Sequence, residues 1–341
     1  MRRQTQRDIA AALGLSVNTV SRALSGKDSV SEETRRLIRD EAERVGYVVN
    51  LRARSLVLGS AMTIGLMITN PSNPFYAQLI SAIELRGRAA GYTLLLVVTE
   101  ESEENESAAL DALLRSGVDG AIVVPVQGST NPWARAEQAG VPIVLINRDL
   151  PGVDWDFVGT DNRRGAYEAT QRLIQSGVRN VVMLEEDLQI TTITERIEGF
   201  SRAMKEAGLA VTWDSIVRIP TRRFDHVALP WHADEAYQVA KDMVTANARP
   251  DAFVVGNDYF ALGLYRALAE RQITIPTDVR IVGFGDYPFA GFLTPPLTTV
   301  RLPAAEVGTQ AVHLLLERLR QIDRPTARML VPPTLIIRSS A

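Results

Sequence analysis

The sequence predicts a small all-α head followed by a larger α/β body built as two units, and three observations carry that prediction. Residues 5–24, TQRDIAAALGLSVNTVSRAL, hold two short apolar stripes at helical spacing, separated at Gly14. From Met62 onward, short Val/Ile/Leu runs alternate with longer helical patterns, the signature of parallel sheets covered on both faces. At 341 residues the chain also exceeds what one ordinary core supports and fits two or three compact units.

Composition narrows the function classes. Apolar residues make up 46% and charged residues 23%, as in a folded globular protein. The net charge is −3, yet residues 1–60 hold eleven Lys/Arg against seven Asp/Glu, so a basic head precedes an acidic body. With no cysteine, disulfides, thiolate metal sites and cysteine nucleophiles are excluded. His226, His232 and His313 are too scattered for metal-ligand spacing, and no metal or cofactor is expected. Apolar runs such as 93–99 and 141–146 fall far short of the ~20 residues of a membrane-spanning helix. The polar start, with the 9–15 stretch broken by Gly14, is no secretory signal, so the expected location is cytoplasmic.

In the head, Thr5 and Asp8 form a capping-box pair, and Ile9, Ala10 and Leu13 make one stripe. Gly14 ends this helix by taking a positive φ. Ser16 is an N-cap for a second helix whose Val20 and Leu24 share a face, while Val17, Asn18, Ser21 and Arg22 lie opposite. Ser31 caps a third helix, with Glu32 and Glu33 at its positive end, a stripe of Leu37, Ile38, Ala42 and Val45, and Gly46 as its stop. The pattern fits a helix-turn-helix, and periodicity alone fits an ordinary helical hairpin equally well.

The run LGLSVNTVSRALSGKDSVSEETRRLIRDEAERVGYVVNLRARSLVLGS resembles the headpiece of the lactose-repressor/galactose-repressor (LacI/GalR) family of bacterial transcription regulators. The TVSRAL core, the VSEETR start of the third helix and the GY-x-x-N-x-x-ARSL hinge occur in the family's order. The resemblance implies that Val17, Asn18 and Arg22 meet base edges. Chemically, Asn pairs with adenine N6 and N7, Arg with guanine O6 and N7, and Val touches a thymine methyl. Ser16, Thr19, Ser21 and Ser31 are implied phosphate contacts, although capping also explains Ser16 and Ser31. Residues 50–58 resemble the hinge helix that pairs with its dimer mate in the minor groove, with Asn50 and Arg54 as contacts and Leu56 as the apolar wedge. Val49 stands where many relatives have Pro.

In the body, strands are expected at 63–68, 93–99, 120–126, 143–146, 181–184, 216–219, 252–255 and 280–284, and helices at 75–90, 163–176, 194–207, 258–271 and 304–319. The blocks IGLMITNPSNPFYAQL, VGTDNRRGA, TERIEGF, FVVGNDYFALG, VRIVGFGDYP and LTPPLTTVR resemble the family's effector-binding core, a two-lobe α/β fold of the periplasmic-binding-protein-like (type I) kind with three crossings. The implied organisation is a helix-turn-helix domain over 1–48, a hinge helix and linker over 49–61, and a core over 62–341. Its N-lobe covers about 62–161 and 294–320, and its C-lobe about 162–293 and 321–341. Ligand groups in such a cleft come from the carboxyl ends of strands, which selects Asn73, Phe75, Asn147, Arg196, Trp231 and Asn257 for the effector. Trp231 fits a core or surface position equally well. Gly285 occupies a position where relatives commonly carry a ligand-binding Asp; Asp286 is the possible replacement, with capping or an interlobe contact as its alternative role.

The function expected from the resemblance is a ligand-responsive DNA-binding repressor of a carbohydrate or related catabolic operon, released by a sugar-like inducer. It would bind a pseudo-palindromic double-stranded operator as a homodimer. A corepressor-dependent mode and a plain solute-binding protein are the alternatives. No Walker sequence, nucleophile elbow or zinc motif supports an enzyme.

Overall fold

A computed structural model describes residues 4–24, 29–47, 60–128, 132–221, 233–245 and 249–341. The chain divides into two compact units, Met1–Ala61 and Met62–Ala341.

The first unit contains α1 (Gln6–Leu13), α2 (Val17–Leu24) and α3 (Glu32–Arg44). The capping box forms as expected: Thr5 N–H donates to Asp8 Oδ2 at 2.8 Å, and Asp8 N–H returns to Thr5 Oγ1 at 3.4 Å. Gly14 sits at φ 65°, in the left-handed region that favours glycine. Ile9, Ala10, Val20, Ala23, Ile38 and Ala42 form the buried core. Leu37, expected in the α3 stripe, is 51% exposed. The buried face of α3 runs through Arg35, Ile38 and Ala42, and Leu37 lies about 100° from Ile38 around the helix.

The second unit holds two six-stranded sheets. The first has the order β11-β5-β4-β3-β1-β2, from β1 (Thr63–Ile68), β2 (Thr93–Val98), β3 (Gly120–Val123), β4 (Ile143–Ile146), β5 (Asp156–Thr160) and β11 (Arg328–Val331), all parallel. The second has the order β12-β10-β9-β8-β6-β7, from β6 (Val181–Glu186), β7 (Ile216–Ile219), β8 (Ala252–Val255), β9 (Arg280–Gly285), β10 (Thr298–Arg301) and β12 (Thr334–Ile336). Within it, β12 alone runs antiparallel, as an edge strand on β10.

Each sheet is covered twice, which is why strands such as β4 (IVLI) and β8 (AFVV) are apolar throughout. In the first, α4 (Pro74–Ala89) and α11 (Ala304–Arg320) pack on Ile64, Leu66 and Ile68 of β1. On the other face, α5 (Glu103–Ser116) and α6 (Ala134–Ala139) meet Met67, Val123 and Leu145. In the second, α9 (Ala233–Thr245) and α10 (Asp258–Glu270) cover Phe253 and Val255. There α7 (Asn162–Gln175) and α8 (Thr191–Glu206) cover Met183 and Val254 from the opposite side.

Strand pairing corrects the expected lobe boundaries. Residues 298–301 belong to the second sheet, through β10 on β9, and 328–331 belong to the first, through β11 on β5. The chain therefore crosses between lobes at 160–162, 301–304 and 331–334. Short strands sit at each crossing, and their lobe is decided by pairing rather than by local pattern. Buried Asp156 pins the returning segment to the first lobe by accepting from Arg318 Nε at 3.0 Å, Arg324 at 2.8 Å and Ala327 N–H at 2.8 Å.

Candidate functional site

In the head, helix geometry sorts α2 into two faces. Val20 and Ala23 are buried, whereas Val17 (40% exposed), Asn18 and Arg22 point outward. Ser16 Oγ accepts from Thr19 N–H at 3.0 Å and pairs with the Thr19 hydroxyl at 2.8 Å, so the N-cap role is realised. Ser31 does the same for Thr34 N–H at 3.3 Å, while Ser21 is half-buried. One small helix thus displays an amide, a guanidinium and a branched methyl pair on a single outward face. These are the groups that read base edges. Asn50, Arg54 and Leu56 lie outside the described residues, as does Trp231.

In the body, the loops at the strand carboxyl ends bring residues of both lobes together. Asn73 caps α4, its Oδ1 accepting from Phe75 N–H at 2.9 Å, and Asn257 caps α10 by accepting from Tyr259 N–H at 2.9 Å. Between them stands Tyr287, whose hydroxyl donates to Asn73 Oδ1 at 3.0 Å and accepts from Asn257 Nδ2 at 3.3 Å. Asn147, at φ 63°, donates through Nδ2 to the Tyr76 hydroxyl at 3.3 Å. Phe75 is buried in the first lobe's core, edge-on to Tyr76 at 5.5 Å.

The cluster is charged but internally compensated. Arg196 forks onto Glu185 with two bonds of 2.8 Å, and in the first lobe Arg148 forks onto Glu101 at 2.6 and 2.7 Å. Burial opposes the charge on Arg148, but Glu101, Tyr76 and Glu186 outweigh it and hold the guanidinium above its ordinary value. Burial likewise opposes Arg196, and Glu185, Glu186 and Tyr287 reverse the sign. Glu186 of the second lobe thus acts on an arginine of each lobe. Burial pushes Asp258 up to about 6, against the opposing bonds from the Thr299 hydroxyl at 2.7 Å and Tyr287 N–H at 3.0 Å.

Asp286 makes ion pairs inside the second lobe rather than a capping or interlobe contact. Arg301 Nε binds one carboxylate oxygen at 2.7 Å and Arg338 the other at 2.6 Å, so the group clamps β10 to the C-terminal segment. Gly285 sits at φ 140°, and a Cβ there would lie 2.9 Å from the Tyr287 ring.

A cavity of about 540 Å³ lies on the same interlobe seam, lined by Glu106, Trp133 and Asp149 on one side and Ile190, Thr194 and Glu195 on the other. None of Asn73, Phe75, Asn147, Arg196, Asn257 and Asp286 lines it. At its edge Gln127 bridges the lobes, accepting from Thr191 N–H at 2.9 Å and donating to the Thr191 hydroxyl at 3.2 Å.

Tyr287, Glu185, Arg148 and Gln127 were not singled out by sequence reasoning. A signal did exist for Glu185: β6 ends its apolar run VVML on two consecutive glutamates. Asn147, Gln127, Glu100, Glu101 and Asp286 all have positive φ at strand ends, a clustering of costly conformations typical of functional loops. Among the described residues, no helix is long and apolar enough to cross a membrane, and no acidic or histidine cluster is arranged for a metal ion.

A helix-turn-helix head on a two-lobe α/β body with an interlobe cluster defines a ligand-responsive DNA-binding regulator. Comparison with known proteins agrees: residues 5–50 match the model of bacterial regulatory proteins of the lacI family, and residues 170–341 match a periplasmic binding protein-like domain. The chain is 31% identical to the ribose operon repressor of Escherichia coli strain K12, over 99% of both proteins. It is 29% identical to the transcriptional repressor PurR of Glaesserella parasuis, over 98% of both. Among solved structures, a LacI family regulator from Enterococcus faecium with bound ribose is 26% identical, with TM-score 0.71 over 82% of this chain and 98% of that one. The lac repressor dimer bound to operator shares the fold, with TM-score 0.86 at 23% identity over 99% of each chain. The chain belongs to the LacI family of bacterial transcriptional regulators.

Proposed function

We propose that this regulator is a cytoplasmic repressor of a carbohydrate operon, released when a neutral, sugar-like effector enters the interlobe cleft, and that it has no enzymatic activity of its own. The observation that carries the effector class is the state of the two cleft arginines. Arg148 and Arg196 are each held bidentately by a glutamate, so the groups left for a ligand are amides and hydroxyls, which suit polyols. Ribose is the first candidate, because relatives carry that name or that ligand. Ser16, Val17, Asn18, Thr19, Ser21, Arg22 and Ser31 of the head, with Asn50, Arg54 and Leu56 of the hinge segment, are the proposed DNA contacts. Asn73, Asn147 and Asn257 are the proposed effector residues, and Arg196, engaged by Glu185, is proposed to shape the cleft wall beside them. The active species is a homodimer on a pseudo-palindrome, since one recognition helix covers only a half-site. Leu85 of α4 (58% exposed) and Leu96 on the edge strand β2 supply apolar surface for pairing.

The test is a fluorescence-anisotropy titration of the full chain on a duplex selected from a random pool, with and without D-ribose. Specific binding that ribose weakens supports the proposal. Affinity no better than for random duplex at matched salt rejects the DNA reading, and operator binding indifferent to neutral sugars but sensitive to a purine rejects the effector reading.

A further inference from the structure

Besides Gln127 at the edge of the seam, a second side chain reaches from one lobe to the other inside the cleft. Tyr287 leaves the end of β9 in the second lobe, and its hydroxyl reaches Asn73 of the first lobe at 3.0 Å while accepting from Asn257 of its own lobe at 3.3 Å. Both asparagines are helix N-caps with one amide atom committed to a backbone N–H, so their positions are set by the helices they cap. The ring is also placed by its surroundings. It stands 5.5 Å from Tyr259 and 6.1 Å from Phe289, and it lies across Gly285, where any Cβ would be 2.9 Å from Cε1 and 3.0 Å from Cζ. Tyr287 is 3% exposed. A phenol hydroxyl that donates to one lobe and accepts from the other does what one hydroxyl of a bound polyol would do.

We propose that Tyr287 is a tethered stand-in for the effector: its hydroxyl occupies the position between Asn73 and Asn257, holds the lobes together without ligand, and must be displaced when a ligand hydroxyl takes that place. The displacement rests on the cleft being the effector site; the latch itself does not. Gly285 belongs to the device, because the residue there must lack a side chain for the ring to approach so closely. A ligand then gains only the difference between its own bonds and those of Tyr287, which lowers its apparent affinity. Removing the hydroxyl removes that competition.

The experiment uses the full chain with Tyr287→Phe, which keeps the ring and deletes the hydroxyl. Asn73→Ser is the second variant, since serine still caps α4 but is too short to reach Tyr287. The chain has no cysteine, so Glu104→Cys on α5 and Lys205→Cys on α8, both exposed, accept spin labels uniquely. Labelled chain is diluted into unlabelled chain so that only the intramolecular distance is read. The expected result without ligand is a distribution broadened toward longer interlobe distances in both variants. D-ribose, followed by calorimetry, should bind Tyr287→Phe about five- to a hundredfold more tightly, as expected for two competing hydrogen bonds. Superimposable distance distributions would overturn the latch, and so would weaker ribose binding by Tyr287→Phe, since the hydroxyl would then be a ligand contact. If ribose binds neither chain, the ribose reading of the cleft fails, and the distances alone decide the latch.

Discussion

The guanidinium of Arg196, on α8, is clamped to the carboxylate of Glu185, at the end of β6, by two bonds of 2.8 Å, with the Glu185 side chain 1% exposed. The guanidinium also lies 5.3 Å from the centre of the Phe284 ring. Gly256, just past the end of the neighbouring strand β8, makes room, since a Cβ there would overlap the Glu185 carboxylate. The pair therefore ties α8 and β6 together at the mouth of the cleft, and it neutralises a charge that would otherwise select anions.

Breaking this pair from one side strands a buried ion. Glu185→Ala is expected to destabilise the body by about 3–5 kcal/mol in chemical denaturation, and Arg196→Ala by a similar amount, because the surviving partner keeps its desolvation cost. The double variant should cost less than the sum of the two. A loss under 1 kcal/mol for either single variant would show that the pair is solvated in solution.

Close backbone approach gives a second expectation. A Cβ at Gly199 would lie 2.1 Å from the Arg163 carbonyl oxygen, where α8 crosses α7. Backbone cannot yield as a flexible side chain does, so Gly199→Ala should cost about 1–3 kcal/mol or more through overpacking. Gly140→Ala is the contrast: nothing lies within 4 Å, and any cost there comes from its φ of 66°. Comparing the two melting curves separates packing from backbone strain.

Much of this was legible in the chain. Strands 143–146 and 252–255 were legible because a strand buried on both faces is apolar along its length, and the apolar runs at 63–68 and 216–219 also form as expected, the latter as an edge strand. The short strands β5, β10 and β11 escaped because they carry charge, and β12 because it is only three residues long; DFVG or RMLV acquires its identity from the partner it pairs with. The same applies to the site. Asn73 and Asn257 were predictable from their place after a strand. Tyr287 was not, because its contact with Asn73 spans 214 residues of sequence. Asp286 was the reverse case: proximity to the cleft suggested a ligand, while Arg301 and Arg338 arrive from a strand and a tail that local pattern could not position.

Asp258 carries a pH signature. Its carboxyl is pushed from an ordinary 3.8 up to about 6, chiefly by burial. The folded state therefore holds a proton that the unfolded state has released between those values. The contribution to stability is fully present below about pH 4 and is lost as pH rises through about 6. Asp258→Asn removes the titration, so the stability of the parent relative to this variant should fall by roughly 3 kcal/mol between pH 4 and pH 7, at about 1.36 kcal/mol per pH unit across the window. A difference independent of pH would place the Asp258 value near that of an exposed carboxyl.

The head offers the sharpest separation of roles. Asn18 and Arg22 are exposed on the outward face of α2 and are expected to read bases, whereas Ser16 and Ser31 sit at helix N-termini, where side chain and backbone N–H groups suit phosphates. Arg22→Ala should weaken binding to the selected duplex by about 1–3 kcal/mol, while binding to random duplex changes far less and one base position becomes permissive. Ser31→Ala should weaken both duplexes by a similar factor and should also lower the melting temperature of the head, since a cap is worth about 1 kcal/mol. Thr5→Ala then serves as the stability control: it removes the α1 cap and is expected to soften the fold without altering base preference. Equal losses on selected and random duplex for Arg22→Ala would move that arginine from base reading to backbone contact.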